Sequence, residues 1–156
     1  MQRNRGSNPF GFIFFIAIVL IMAAAVFFFM GPSHQAKKAV DTFYSYEQEA
    51  RFASSWDMFH SEMQGKFSRN NYLQDRAHVF LNHFGVESFN YSLSRPKGVS
   101  GWQMTSDSEP LGKVYKVTVT KKYHGKYGHF KLIQDVYTVK EDKDWRILWD
   151  YNDEVQ

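Results

Sequence analysis

The chain has 156 residues, 18% of them aromatic and none of them cysteine. That aromatic content excludes an intrinsically disordered chain, and the missing thiols exclude a disulfide scaffold, thiolate zinc, iron–sulfur clusters and a cysteine nucleophile. The 19 Lys and Arg face 16 Asp and Glu; with Arg3 and Arg5 set aside the charges nearly balance, which weakens a nucleic-acid reading, since that would want a clear basic face.

Residues 11–30 read GFIFFIAIVLIMAAAVFFFM, with no charge and no hydrogen-bonding side chain. Twenty helical residues would cover about 30 Å, the thickness of a bilayer's hydrocarbon core. The run therefore predicts a transmembrane helix over residues 11–31, behind a cytoplasmic leader of residues 1–10. The basic leader predicts that the rest of the chain is extracytoplasmic. This places the protein in the cell membrane as a single-pass envelope protein. A buried core helix is the alternative, but a domain this small rarely wraps so long an apolar run. A cleaved signal peptide is another, against which stand the length of the run and the want of small residues at an A-x-A-like site.

Residues 32–156 are enough for one domain and short for two. Their first half reads helical. Ser33 is a candidate cap, followed by Ala36, Val40, Phe43 and Tyr44 at spacings of three and four. Phe52, Trp56 and Phe59 suggest a second short helix. After Ser68 the residues Leu73, Ala77, Phe80, Leu81 and Phe84 form one apolar stripe, and Gly85 is a natural stop. The period then changes to two. Phe89, Tyr91 and Leu93 alternate with polar residues, as do Tyr115, Val117 and Val119, and then Trp145, Ile147, Trp149 and Tyr151. These patterns predict half-buried strands. HGKYG (124–128) and EDKD (141–144) predict the turns of antiparallel hairpins. Pro96, Gly98 and Gly101 predict a loop, with a short strand near 101–105. Helices first and strands last imply an α+β domain, with one curved antiparallel sheet wrapped around the helices.

The stretch VDTFYSYEQEARFASSWDMFHSEMQGKFS (40–68) resembles the first helical unit of the NTF2-like (cystatin-like) superfamily. FLNHFG followed by ESFNYSL resembles that superfamily's passage from third helix to first strand, and DKDWRILWDY its last strand. The resemblance spans about residues 33–151. It implies three helices packed in a curved antiparallel sheet. Similar domains behind one membrane helix serve as subunits of conjugation or secretion channels, as non-catalytic modules of penicillin-binding transpeptidases, and as small Gram-positive envelope proteins. It implies a non-catalytic binding or assembly module, with a possible homodimer through the sheet and with envelope proteins or wall polymers as partners.

Several residues are candidates for chemistry. Asp57 and His60 are three apart on a helix and share a face with Trp56 nearby; with Trp149 they would line a pocket between helices and sheet. The resemblance to NTF2-like enzymes offers an acid–base role for Asp57 and His60 on a small hydrophobic substrate, and the plain alternative is a solvated helix edge. Asp75, His78 and Asn82 also share a face, but a metal site would need three or four converging ligands without thiols, and none is expected. No zincin, hydrolase or phosphate-loop motif occurs, and no cofactor is implied. Lys121, Lys122, Tyr123, Lys126 and Tyr127 interleave bases and aromatics around one hairpin. That composition suits an anionic surface partner, or a charged edge that blocks aggregation.

Overall fold

The computed structural model of the protein describes residues 9–78, 89–125 and 128–152, without the side chains of residues 9, 12, 25 and 27–30. The apolar run forms α1 (Pro9–Met30). Among the described residues no helix is long and apolar enough to cross a membrane. The expected single-pass anchor is corrected on this finding. With it go the cytoplasmic leader, the extracytoplasmic placement and the assignment to the cell envelope.

Helix α2 (Pro32–Gln48) follows, with Gly31 as its cap rather than Ser33 and proline in the first turn, where a missing N–H costs nothing. Its buried face is Ala36, Ala39, Val40, Phe43, Tyr44 and Glu47. Ala50, at φ 55°, turns the chain left-handed just beyond its end. The second helical unit is two short pieces, α3 (Phe52–Trp56) and α4 (Ser61–Lys66). Ser68 caps α5 (Arg69–Ala77), its hydroxyl accepting from the Asn71 N–H at 3.3 Å. The expected continuation of that stripe through Phe80, Leu81 and Phe84 to Gly85 lies outside the described residues, as does Asn82.

The second half is an antiparallel five-stranded sheet, so the chain is an α+β protein. Strands β1 (Phe89–Leu93) and β2 (Lys97–Trp102) lie end to end along one edge of the 15-residue β3 (Leu111–Gly125). Strand β4 (Gly128–Glu141) pairs with the other edge of β3, and β5 (Asp144–Trp149) pairs with β4. The expected turn at 141–144 is present, with Asp142 at φ 56°. Where a loop was expected at 96–101 there is a strand. β1 covers only Val119–Tyr123 of β3, and β2 pairs with the stretch left open, Leu111–Lys116. Ser94 stitches the junction, its N–H bonding the Thr118 carbonyl and its hydroxyl accepting from the Thr118 N–H, both at 2.9 Å.

Alternation sends Val117, Val119, Lys121 and Tyr123 of β3 to one face and Lys116, Thr118, Thr120 and Lys122 to the other. The first set meets α2 and the 52–63 segment. Val40, Phe43, Tyr44, Phe59 and Met63 pack there against Val117, Val119, Val136 and Ile147, all at most 1% exposed. The outer edge of β5 is covered. Residues 58–60 run beside it, with the His60 N–H on the Ile147 carbonyl at 3.1 Å and the Ile147 N–H on the Met58 carbonyl at 3.0 Å.

Candidate functional site

The four residues expected to line one pocket do not converge. Trp56 donates its indole N–H to the Phe67 carbonyl at 3.0 Å. Asp57 ends α3, and its carboxylate, 61% exposed, faces Arg69 Nε at 3.5 Å. His60 turns inward as the cap of α4, its Nδ1 accepting from the Glu62 N–H at 3.3 Å and its Nε2 lying 3.6 Å from Glu141 Oε1. Trp149 is half-buried and packs against the core, its ring 5.0 Å from Phe59 and edge-on to it. Asp57 and His60 therefore answer to different partners, one in water and one packed. That arrangement removes the geometric basis for a shared acid–base role. Among the described residues no three His, Asp or Glu side chains gather as a metal site would need.

The hairpin residues are divided by the pleat. Lys121 and Tyr123 are buried, Lys122 is exposed on the opposite face, and Lys126 and Tyr127 lie outside the described residues. Burial pushes the Tyr123 phenol up to about 12.

Under the sheet lies a polar cluster whose members come from three helices and a strand. Glu47 sits on the buried face of α2 with a fully covered carboxylate. It accepts from Ser55 Oγ at 2.5 Å and from the Tyr72 hydroxyl at 2.7 Å, and it pairs with the Arg76 guanidinium. Burial, the largest single influence, works against the charge on Arg76, but the Glu47 carboxylate together with Tyr72 and Tyr44 outweighs it and holds the guanidinium above its ordinary value. Burial likewise raises the phenols of Tyr44 and Tyr72. A second cation enters from the sheet. Lys121 is 2% exposed, and its ammonium stands 5.4 Å from the centre of the Tyr44 ring. Burial first, and the nearby Arg76 second, lower it to about 8. Both oxygens of Glu47 are engaged, so its carboxylate is not an idle base. The cluster is a neutralised pair with an extra amine beside it.

A different region is open. A groove of about 1170 Å³ runs between the first turns of α2 and the junction of β1, β2 and β3. Tyr91, Leu93 and Tyr115 form its floor. Its rim carries His34, Lys37 and Lys38 from α2, Arg95 from the β1–β2 junction and Lys113 from β3. The lining includes a single acid, Asp41, and its carboxylate already accepts from the Tyr91 hydroxyl at 2.9 Å. Burial and this bond raise the Tyr91 phenol. Among the described residues no ion pair engages Lys37, Lys38, Arg95 or Lys113; Lys113 lies against the Tyr115 ring at 5.5 Å. The start of α2 opens into the same groove at Gly31, Pro32 and Ser33, with no acid in its first turn. Sequence reading missed this site because its cations come from three separate segments. The adjacent Lys37 and Lys38 at the head of an amphipathic helix were its one visible sign. None of Trp56, Asp57, His60 or Trp149 lines it.

The sequence matches no known family model, and no characterised protein is similar enough to count as a relative.

Proposed function

We propose that the domain is a non-catalytic binding module of NTF2-like architecture, and that it holds a small polyanionic ligand, bearing phosphate or carboxylate groups, in the groove between α2 and the β1–β2 junction. The observation that carries this reading is the charge of the groove: four long cations and an imidazole around two tyrosines, with one carboxylate that is already occupied. Flexible cations around an open groove fit multiple anionic oxygens, and the tyrosine floor gives a flat apolar surface for the ligand's body. The order of elements, with helices first and an antiparallel sheet after, is the α+β arrangement this reading requires.

Titration calorimetry with tripolyphosphate tests it. The full chain should bind, and binding should weaken steeply between 50 and 300 mM salt, roughly the screening expected for exposed charges. Replacing Lys37, Lys38 and Arg95 together with glutamate should lower affinity at least about tenfold, equivalent to ~1.4 kcal/mol. Heat that is absent in the wild type, or unchanged in the triple variant, overturns the assignment.

A further inference from the structure

The groove is polarised, and it is larger than a bare anion needs. It follows α2 from Gly31 to Asp41, about 15 Å of helix axis. Its volume of about 1170 Å³ exceeds the roughly 300–1,000 Å³ of ordinary small-molecule pockets. One end is tied by Trp145, whose indole N–H donates to Gln35 of α2 at 3.1 Å and whose ring lies 5.7 Å from that of Tyr115. At this end Lys113 stands over the Tyr115 ring, and His34, Lys37 and Lys38 line the same stretch of α2. The other end is marked by Tyr91 and Asp41, which are bonded to each other.

Asp41 is out of place in a site that takes only anions. It follows Lys37 and Lys38 at helical spacings of four and three, where an ion pair can form, yet among the described residues it pairs with neither. Instead the Tyr91 hydroxyl donates to Asp41 Oδ1 at 2.9 Å and to the Asp41 carbonyl at 3.1 Å. That leaves Oδ2 without a bond among the described residues, held at the groove beside an aromatic ring. A carboxylate fixed there repels a simple polyanion, and it accepts from a hydroxyl or an amine. We infer that the ligand is a nucleoside polyphosphate. Its phosphates lie among the cations at the Trp145 end, its base rests on the floor at Tyr91 and Leu93, and a ribose hydroxyl donates to Asp41 Oδ2. This rests on the anion-binding reading of the groove and adds the chemistry of the ligand's other half. Stacking on an aromatic ring accepts any base, so discrimination falls to the sugar: a fixed charged acceptor favours a ligand that has the hydroxyl over one that lacks it.

Calorimetry of the full chain, in non-ionic detergent and without magnesium, compares ATP, 2′,3′-dideoxy-ATP and tripolyphosphate. ATP should bind at least about tenfold tighter than tripolyphosphate, the gain expected from stacking the base. The dideoxy analogue should lose roughly tenfold against ATP, as befits a hydrogen bond to a charged acceptor. Asp41→Asn keeps an acceptor for the Tyr91 hydroxyl and removes the charge. With its circular dichroism unchanged, it should bind ATP and the dideoxy analogue alike, and tripolyphosphate at least as tightly as the wild type does. ATP no tighter than tripolyphosphate, or ATP and its dideoxy analogue bound equally by the wild type, overturns the nucleoside assignment and leaves the anion-binding reading standing. Tripolyphosphate that does not bind at all overturns that reading, and this inference with it.

Discussion

The two charged regions of this protein are opposites. Around Glu47 the charges are few, buried and mutually satisfied; around the groove they are many, exposed and of one sign. Both oxygens of the buried Glu47 carboxylate are matched, because a buried charge left without partners costs several kcal/mol. At the groove, water does the matching, and the cations remain available to something else. Burial, rather than residue type, therefore separates a structural charge from a functional one.

The largest effect should come from breaking the buried side. Glu47→Ala removes the acceptor of Ser55, Tyr72 and Arg76 at once and leaves Arg76 and Lys121 as two buried cations without an anion between them. A loss of about 3–5 kcal/mol is expected, read as a shift in the urea midpoint at unchanged m-value. A variant that unfolds at the wild-type midpoint would show that the cluster is not holding the helices to one another.

Lys121 should give the next largest effect, and a pH signature. Its folded-state value is lowered to about 8 from 10.5. Between these values the unfolded chain binds the proton that the native chain has shed, so stability rises with pH across that window, by roughly 3 kcal/mol in full. Below pH 8 this contribution is flat and unfavourable. The tyrosines work the other way. Tyr44, Tyr72, Tyr123 and Tyr151 keep protons in the fold that the unfolded chain releases near pH 10, so stability falls above that point. Thermal unfolding should thus be most resistant near pH 10, where most of the Lys121 rise has accrued and the tyrosine loss is only beginning. Lys121→Met should be more stable than the wild type at pH 7 and should lose the rise while keeping the alkaline fall. A Lys121→Met protein with the full rise would place its origin in another group.

Much of the strand half was legible in the sequence, and the reason is periodicity. Phe89, Tyr91 and Leu93 announce β1, and Val117 and Val119 announce β3, because alternation is a local property that no partner is needed to reveal. The helix start after Ser68 and the 141–144 turn were legible from equally local signals, whereas the cap of α2 is Gly31 and not the expected Ser33. β2 was not, since its glycines read as loop and its strand character is imposed by the open edge of β3. The polar cluster was hidden by distance: Glu47, Ser55, Tyr72 and Arg76 meet only after three helices pack. One local sign existed. Glu47 follows Val40, Phe43 and Tyr44 on the apolar stripe of α2, and a carboxylate on a buried stripe requires a partner. The hairpin cluster of Lys121, Lys122 and Tyr123 was misjudged as a single surface by counting composition where parity decides: odd positions go in and even ones out.

Within the cluster, a single hydrogen bond should count for less than the ion pair. Tyr72→Phe keeps the ring that packs 5.2 Å from Phe59 and removes only the hydroxyl on Glu47. About 1.5–3 kcal/mol is expected for a bond to a charged acceptor. A double-mutant cycle with Ser55→Ala should be non-additive, since both donors serve the same carboxylate oxygen. Additivity would mean that the two act as separate contacts and that the cluster is not one unit.

The smallest effect on stability should come from the groove, and that smallness is what sharpens the contrast. Lys37→Ala, Lys38→Ala and Arg95→Ala each remove an exposed or half-buried cation for which no ion pair exists among the described residues. Each should shift unfolding by no more than about 0.5 kcal/mol. Removing like charges from one rim also relieves repulsion, so the triple variant should be no less stable than the wild type and slightly more stable at low salt, where screening is weakest. The same triple variant should lose anion binding. A residue set that is neutral or costly for folding and necessary for binding is kept for the ligand. If instead the triple variant were destabilised by several kcal/mol, the groove's cations would be holding the protein together, and the distinction between the two regions would fail at its open end.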